Sequence, residues 1–494
     1  MSRSKRLSLV ALALVLLVTV GIIQEPLDFL RYDPASKSGL QPANIIDKDK
    51  KETSLLFDLS LQFIGAAAIG MREAVASLLW VRADEFFHSG EYEAILPLVR
   101  IVTWLDPHQL DVYSTGAWHL DYNFTDSEER SDRRYIPPAI ALMREGIRNN
   151  PEIYDMYFDL GWMHYLQKIK DYDNAAYWIG EATKRDAKDI MTGKTMSRPG
   201  FVRRMYAHAC EKSGNLDEAE RQWELALAEM EKNLREKREN SFYTEVDVCK
   251  KNLGLMCLRK AWRYGDIAAY ERGIKVLETL GNPDPRQEQA TKAAKAELVK
   301  WKAIGKMPRD IDPPVDAKLE IKWKKIKSKV ILVEGTANLL PSEYYKNLVS
   351  EPYTLWYQEN QQLPPERQEK WRTGCKLRIL LADYDYDYSK LSDQDRFDWE
   401  IDKTQTVLMD EVAIYNGKFS IKLDMSKDPD MYSFSKDKYK LVVWFNPQDA
   451  PDHIQDRIGW NGEGLTDAKY LDTKTRPGVK MLRAEFVLKK SDIL

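Results

Sequence analysis

Apolar residues recur at spacings of three and four along most of the first 285 residues, which is the period of helices with one buried face. The stretch ASLLWVRADEFFHSGEY places Leu79 and Ala83 on one such face, and the following EAILPLVRIVTWLDP places Ile95 and Val99 on another. Gly90 interrupts the first run. An Asp-Pro pair ends the second, because proline cannot continue a helical hydrogen-bond ladder. The pattern predicts two helices packed face to face.

The same helix-turn-helix pattern recurs four more times up to about residue 285, and its fifth copy is the weakest. Small residues such as Gly116 and Gly161 stand where two helices must approach closely. SGNLDEAERQWELAL and LDPHQLDVYSTGAWHL carry the pattern most clearly. The pattern resembles the tetratricopeptide repeat, a helix-turn-helix unit of about 34 residues. The resemblance covers about residues 70 to 285 and implies an α-helical solenoid whose first helices line a concave groove. An irregular α-helical array is the alternative.

The register of the repeat implies which side chains line the groove. The positions that would face it in the first four units are Trp80, Asp84, Phe87, His88, Trp118, Asp121, Tyr122, Asp155, Phe158, Trp162, Tyr165, Arg204, His208 and Glu211. Aromatic side chains give large contact areas and, in Trp and Tyr, a polar group as well, which suits a peptide or protein segment. The resemblance therefore implies a protein or peptide partner. The alternative is that these aromatic rings pack against a neighbouring helix.

The hydrophobic period changes after residue 305. GKMPRDIDPPVD predicts a linker at 306–317, and short alternating runs such as AKLEIKW, KVILVEG and KYKLVVWF follow it. Asn416-Gly417 lies between two such runs and predicts a hairpin. Seven or eight strands in residues 318–494 predict an antiparallel β-sandwich. Their pattern looks like that of the immunoglobulin- or transthyretin-like accessory domains of bacterial envelope proteins.

The N-terminus predicts a membrane anchor. Residues 1–6 are basic, and the uncharged run LSLVALALVLLVTVGII follows them. A transmembrane helix at 7–24 would leave residues 1–6 in the cytoplasm and the bulk of the chain outside it, in the periplasm or at the cell surface. A linker (25–57) and the helical solenoid (58–305) would follow. Secretion after cleavage of a signal peptide is the alternative.

Composition and motifs give little sign of catalysis. The 494 residues include 74 basic and 77 acidic side chains, so no drive toward nucleic acid is expected. The four cysteines and six histidines show no metal-binding spacing, and we expect no metal and no cofactor. DYDYDY (383–388) is interpreted as an acidic strand end rather than a calcium site, and GWNGEG (459–464) as a turn. The lysines of KWKKIKSK (322–329) are expected to face solvent, with a membrane-surface contact as the alternative.

The sequence thus predicts a multidomain α + β chain with one N-terminal transmembrane helix, a helical solenoid and an antiparallel β-sandwich. The function we expect is that of a non-enzymatic, membrane-anchored scaffold that holds a peptide or protein in the groove. A permanent structural subunit of a larger envelope complex is one alternative. An enzyme with its site in the β domain is the other, since catalytic carboxylate pairs need no local motif.

Overall fold

The computed structural model describes most of the chain from residue 71 onward. The described residues are 71–91, 94–125, 132–188, 195–237, 240–283, 285–307, 317–339, 362–366, 375–388, 402, 404–427, 432–451, 454–455, 458–467 and 469–494. The predicted anchor at 7–24 and the linker at 25–57 lie outside them. No helix within the described residues is long and apolar enough to cross a membrane.

Helices make up the described chain from residue 72 to residue 304. They are α1 Arg72–Ser89, α2 Ile95–Leu105, α3 Leu110–Trp118, α4 Ile136–Asn149, α5 Tyr154–Asp159, α6 Tyr172–Ala182, α7 Phe201–Lys212, α8 Leu216–Lys237, α9 Asn240–Tyr264, α10 Ile267–Leu277 and α11 Pro285–Ile304. Each helix packs against the next one in sequence, and α3 also packs against α5. The helices therefore form consecutive pairs, α1 with α2 through α9 with α10, which we number one to five.

The buried faces of the first pair are those that the sequence pattern predicts. Leu79 and Ala83 of α1, and Ile95 and Val99 of α2, are at most 5% exposed. Helix α1 ends before Gly90, also as predicted. The three-four spacing is sufficient here because each helix buries a single stripe of side chains against its neighbour.

Gly161 shows why small residues recur in the first helices. A Cβ atom at this position would lie 2.5 Å from Cγ1 of Ile179 and 2.9 Å from its backbone nitrogen. Real Cβ atoms do not approach other atoms so closely, so only glycine allows this first helix to contact α6 at that distance. The spacing of small residues therefore reports the contact between the two helices of pair three.

The C-terminal part of the described chain consists mainly of antiparallel strands. After a small hairpin within the helical part (β1 Ala187–Lys188 and β2 Thr195–Met196), the strands are β3 Leu319–Lys327, β4 Val330–Ala337, β5 Lys376–Asp383, β6 Val407–Ala413, β7 Lys418–Asp424, β8 Lys438–Phe445, β9 Leu471–Asp472 and β10 Met481–Lys489; a short helix, α12 Lys490–Ile493, follows. One sheet has the order β3-β4-β7 and the other the order β6-β5-β8-β10-β9. Side chains of both sheets, such as Val333 and Ile379, share one core. The sheets thus pack face to face in a sandwich-like arrangement.

The Asn416-Gly417 turn forms as predicted, but the hairpin does not continue beyond it. Both residues have positive φ, 48° and 76°, and Tyr415 and Lys418 exchange two backbone hydrogen bonds across the turn. The strands then separate, because β6 pairs with β5 and β7 pairs with β4 in the other sheet. The dipeptide determines the turn, whereas the two sheets determine the pairing.

Strand β5 is buried on both faces and connects the two parts of the molecule. Its residues from Leu377 to Asp383 are all buried. One face belongs to the shared core, and the other packs in a second apolar cluster with Val442. Tyr388 packs on that second cluster and donates a hydrogen bond of 3.3 Å to the carbonyl oxygen of Ile169 in the helical part. The helical part therefore contacts the outer side of the five-stranded sheet at this point.

Candidate functional site

Two groups of aromatic rings lie on the first helices of pairs one to four, one on pairs one and two and the other on pairs three and four. Their members are Phe87, Trp118, His119, Tyr122, Phe158, Trp162 and Phe201, which we call the aromatic band. Two of them, Trp118 and Phe201, are 38% and 37% exposed, and the others except His119 are half-buried. Five of the seven are groove positions that the repeat register predicts.

Ring contacts join the band within and between helices. The rings of Phe87 and His119 lie 4.2 Å apart across pairs one and two. Trp118 stacks with Tyr122 at 6.4 Å. In the next two pairs, Phe158 stacks with Trp162 at 6.3 Å and meets the edge of Phe201 at 5.3 Å.

A hydrogen bond closes the gap between pairs two and three. The hydroxyl of Tyr122 donates to the carbonyl oxygen of Met163 at 2.6 Å. Met163 accepts from within a π-helical segment, Leu160–Ile169, that continues α5, and Tyr122 itself lies in a second one, His119–Asn123, that continues α3. A π-helical turn redirects carbonyl groups and side chains, and such turns are frequent at functional sites. The sequence pattern gives no signal for them.

Burial weakens charge along the band. Desolvation raises the pKa of Asp155, although a hydrogen bond from Tyr154 opposes the shift. Desolvation likewise raises the pKa of Asp159 and lowers the pKa of His119. Each shift disfavours the charged form. Burial therefore favours the neutral form of these three groups on or beside the band.

Two predicted groove residues are buried and do not face an open surface. Asp121 is 0% exposed, and its Oδ2 atom lies 2.5 Å from Nδ1 of His164, which is also fully buried. Tyr165 is 0% exposed and accepts a hydrogen bond of 2.8 Å from Arg144. Both residues lie in the π-helical segments, whose wider turn rotates side chains away from the positions that a regular 3.6-residue period gives. For these two residues the groove prediction is corrected.

The remaining predicted groove residues lie around the band. Trp80 is half-buried, and Asp84 and His88 form an exposed pair at 3.7 Å. In pair four, Arg204 lies 3.3 Å from Glu245.

His208 and Glu211, also in pair four, are engaged within the helical part. They lie 3.7 Å apart, and Glu211 accepts a 2.9 Å hydrogen bond from Nε1 of Trp223. Pair four therefore offers a charged surface whose groups already have intramolecular partners.

A chain of polar contacts joins the helical part to the five-stranded sheet. Tyr172 donates to Asp449, and Asp449 lies 2.5 Å from Arg378. Arg378 lies 3.6 Å from Glu411, which also pairs with Lys170. Lys170 follows the π-helical segment as its cap and has a positive φ of 59°, which is unusual for a residue with a side chain. These five residues form the junction network.

A cavity of about 680 Å³ lies beside the junction network. Its wall includes Lys170, Asp171, Asp173, Arg378, Asp387, Lys440, Trp444, Arg476 and Arg483. Most of the cationic groups are already paired, for example Arg476 with Asp173 at 2.8 Å and Arg483 with Glu485 at 2.7 Å. The cavity is therefore a polar space between the helical part and the β region, and the charged groups of its wall pair mostly with each other or with nearby residues. Sequence reasoning missed it, because its residues come from distant segments, for example Asp173 and Arg476 at 303 positions apart, and share no local motif.

Among the described residues, no group of three His, Cys, Asp or Glu side chains has the geometry of a metal site. Asp383 of DYDYDY is instead buried at the end of β5, where its carboxylate accepts a 3.2 Å hydrogen bond from the backbone of Thr406. Comparison of the chain with protein-family models gives no match, and comparison with curated proteins gives none either.

Proposed function

We propose that this protein is a non-enzymatic, membrane-anchored scaffold that binds a peptide or protein segment along the aromatic band. In this proposal the helix pairs form a tetratricopeptide-like solenoid, and the band lies in its groove. The sandwich-like region is an immunoglobulin- or transthyretin-like domain that supports one edge of the helical part. Residues 7–24 anchor the chain, and its bulk lies outside the cytoplasm, in a bacterial envelope.

The observation that carries the proposal is the aromatic band, whose two ring groups span four helix pairs and are joined by the hydrogen bond from Tyr122 to Met163. Aromatic residues are enriched at protein interfaces, and Trp and Tyr in particular are enriched among the residues that dominate binding energy. Ring contacts within the band fix the positions of these side chains before a partner arrives, so little rotamer entropy is lost on binding. A band of this length suits an extended or helical segment rather than a small molecule.

The partner can be identified by cross-linking in native membranes, followed by detergent solubilisation and mass spectrometry. We expect a defined protein cross-linked near the aromatic band. Trp118→Ala and Trp162→Ala should each reduce its recovery about tenfold or more, as truncation of an interface anchor does. Tyr177→Ala is the matched control, because Tyr177 is 58% exposed but lies on α6, a second helix. Equal recovery with all three variants would refute the band as the binding surface.

The anchor has a separate test. A chain held by a transmembrane helix stays with the membrane in high salt and at alkaline pH, and only detergent releases it. We expect this behaviour for the full chain and its loss when residues 1–24 are deleted. Release of the full chain by salt alone would contradict the anchor.

The two alternatives make different predictions. A permanent subunit of an envelope complex would be recovered with its neighbours at fixed stoichiometry and would be unstable without them. An enzyme with a site in the β region would act on a substrate in a cavity such as the one beside the junction network. Activity lost on Lys440→Ala but retained in Trp118→Ala would favour the enzyme.

A further inference from the structure

Ten exposed lysines are concentrated on one part of the β region, over the outer face of the three-stranded sheet and the adjoining end of the sandwich. They are Lys322, Lys324, Lys325, Lys327, Lys422, Lys427, Lys436, Lys438, Lys489 and Lys490, which we call the lysine surface. The strand pairing brings them together. Lys324 and Lys422 flank Leu332 on the central strand, and the backbone of Lys490 bonds to Asp437 beside Lys438.

The lysine surface is not neutralised by the carboxylates around it. The acidic residues among these lysines are Glu320, Glu334, Asp424, Asp437 and Asp492, and Asp385 and Asp402 lie beyond Lys436. Only Lys324 and Lys422 form ion pairs, at 3.5 Å with Glu334 and 3.4 Å with Asp424; the other eight have none within 4 Å among the described residues. The local excess of positive charge contrasts with a net charge of -3 for the whole chain.

One strand pairing places like charges directly opposite each other. Lys489 of β10 and Lys438 of β8 are register partners in adjacent antiparallel strands, and both are exposed. Like charges in this position destabilise a sheet. An anionic surface at this end of the sandwich would remove that repulsion.

Exposed aliphatic side chains accompany the lysines. Ile326, near the β3–β4 turn, is 52% exposed between Lys325 and Lys327. Leu494 is 38% exposed beside the segment that accepts a 3.2 Å hydrogen bond from Lys325. Lysines that surround aliphatic groups match a membrane interface, where ammonium groups meet lipid phosphates and short apolar groups enter the headgroup layer. Binding of single-stranded nucleic acid would instead favour stacked aromatic rings.

We propose that the lysine surface docks on the anionic lipid headgroups of the membrane that anchors the chain, and so orients the helical part relative to that membrane. This inference rests on the membrane anchor of the proposed function. Each lysine close to an anionic bilayer strengthens binding about fivefold at low ionic strength, and salt screens the attraction. Docking therefore depends on lipid charge and on salt, whereas anchoring depends on neither.

The test uses the full chain in vesicles with an environment-sensitive fluorophore on Ser328→Cys, in the exposed β3–β4 turn. The four native cysteines are buried, and burial raises the pKa of Cys257 to about 12, so the label reacts at position 328. We expect a blue-shifted emission in vesicles of phosphatidylglycerol with phosphatidylcholine. The shift should be absent in phosphatidylcholine alone and should disappear at about 1 M salt.

Two variants, each of which removes four positive charges, test whether the lysine surface itself causes the docking. Replacing Lys325, Lys327, Lys436 and Lys438 by Gln should lower the ratio of docked to undocked protein at least tenfold. Replacing Lys292, Lys295, Lys300 and Lys302 of α11 by Gln should leave it unchanged. Equal responses of the two variants would overturn the proposal.

Flotation with neutral vesicles in high salt separates failure of the anchor from failure of the docking surface. If the chain floats but its fluorescence emission does not depend on lipid charge, docking through the lysine surface is refuted and the membrane anchor is retained. A chain that does not float overturns the anchor and the inference that rests on it. Emission that responds to added duplex DNA but not to anionic vesicles overturns the lipid proposal in favour of nucleic acid.

Discussion

Nδ1 of His164 lies 2.5 Å from Oδ2 of Asp121, and neither side chain is exposed to solvent. The two residues belong to the first helices of neighbouring pairs, so this contact joins pairs two and three through the interior. Within the described residues, Nε2 of His164 has no hydrogen-bond partner. A buried polar group that loses its partner keeps the full cost of desolvation.

Asp121→Ala should lower the free energy of unfolding by about 3 kcal/mol, because it leaves the His164 imidazole buried without its partner. Urea unfolding followed by circular dichroism measures the change. Asp84→Ala is the matched control, since Asp84 forms an exposed Asp–His pair with His88 on the same kind of helix. That variant should change stability by no more than about 0.5 kcal/mol. Equal effects of the two substitutions would show that the buried pair adds no stability.

Gly161→Ala should destabilise the helical part by about 1–3 kcal/mol, because the added methyl overlaps the Ile179 side chain and backbone. The backbone cannot move away without separating α6 from the preceding helix. Thermal unfolding of the variant measures the loss. Gly281→Ala serves as the control, since its Cβ would meet nothing closer than 3.3 Å, a side-chain oxygen of Asp247. A Gly161→Ala variant as stable as the control would mean that the helices separate at little cost.

Trp460→Ala should loosen the β region from the helical part. A Cβ at Gly214 would lie 2.1 Å from Nε1 of Trp460, so the indole packs directly on the turn between α7 and α8. The Arg263 guanidinium lies 5.0 Å from the indole ring, and such a contact is stabilising. We expect unfolding to change from one transition to two, measured by calorimetry. Tyr415→Ala, at a 58% exposed aromatic of the β region, should leave a single transition.

The junction network should lose stability in acid through Glu411. Burial by itself raises the pKa of this carboxyl, but Lys170, Arg378 and Lys376 outweigh it and hold the pKa below its ordinary value. A carboxyl with a depressed pKa contributes stability above its unfolded pKa, about 4.3, and loses it as the pH falls through the folded value. The contribution should therefore be complete at neutral pH, begin to fall near the unfolded pKa of about 4.3, and be lost as the pH passes the lower, folded pKa.

Comparison of the unfolding free energies of wild type and Glu411→Gln across this pH range measures the contribution. The difference between the two proteins should be largest at neutral pH and shrink in acid. Glu485→Gln, at an exposed carboxylate of β10 that pairs with Arg483, should show a smaller difference at neutral pH. If the stability difference between wild type and Glu411→Gln does not change with pH, Glu411 is not the source of the loss of stability in acid.

The candidate site was only partly predictable. The repeat register selects Trp118, Tyr122, Phe158 and Trp162, and the structure leaves all four side chains at least partly exposed. It places Asp121 and Tyr165 wrongly, because two first helices change to a π-helical turn there. Such a change depends on packing against neighbouring helices, and the helix propensity of the local sequence does not predict it.

The hairpin at Asn416-Gly417 likewise shows, in the β region, which features depend on local residues and which depend on distant ones. Two residues that tolerate positive φ determine a tight turn wherever they stand. Which strand each arm then joins depends on the side chains of other segments, and here the arms enter different sheets. The junction network is the extreme case, since Tyr172 and Asp449 meet across 277 positions of sequence.

The sequence by itself determined the helix-rich first part, its small-residue contacts, the change to strands near residue 318 and the local turns. These features follow from periodicity and backbone preference, which act over a few residues. Only the tertiary structure decided the buried Asp121–His164 contact, the junction between the helical part and the five-stranded sheet, and the grouping of lysines from separate strands. Each of these depends on contacts between distant segments, and their free energy is gained only when the whole chain packs.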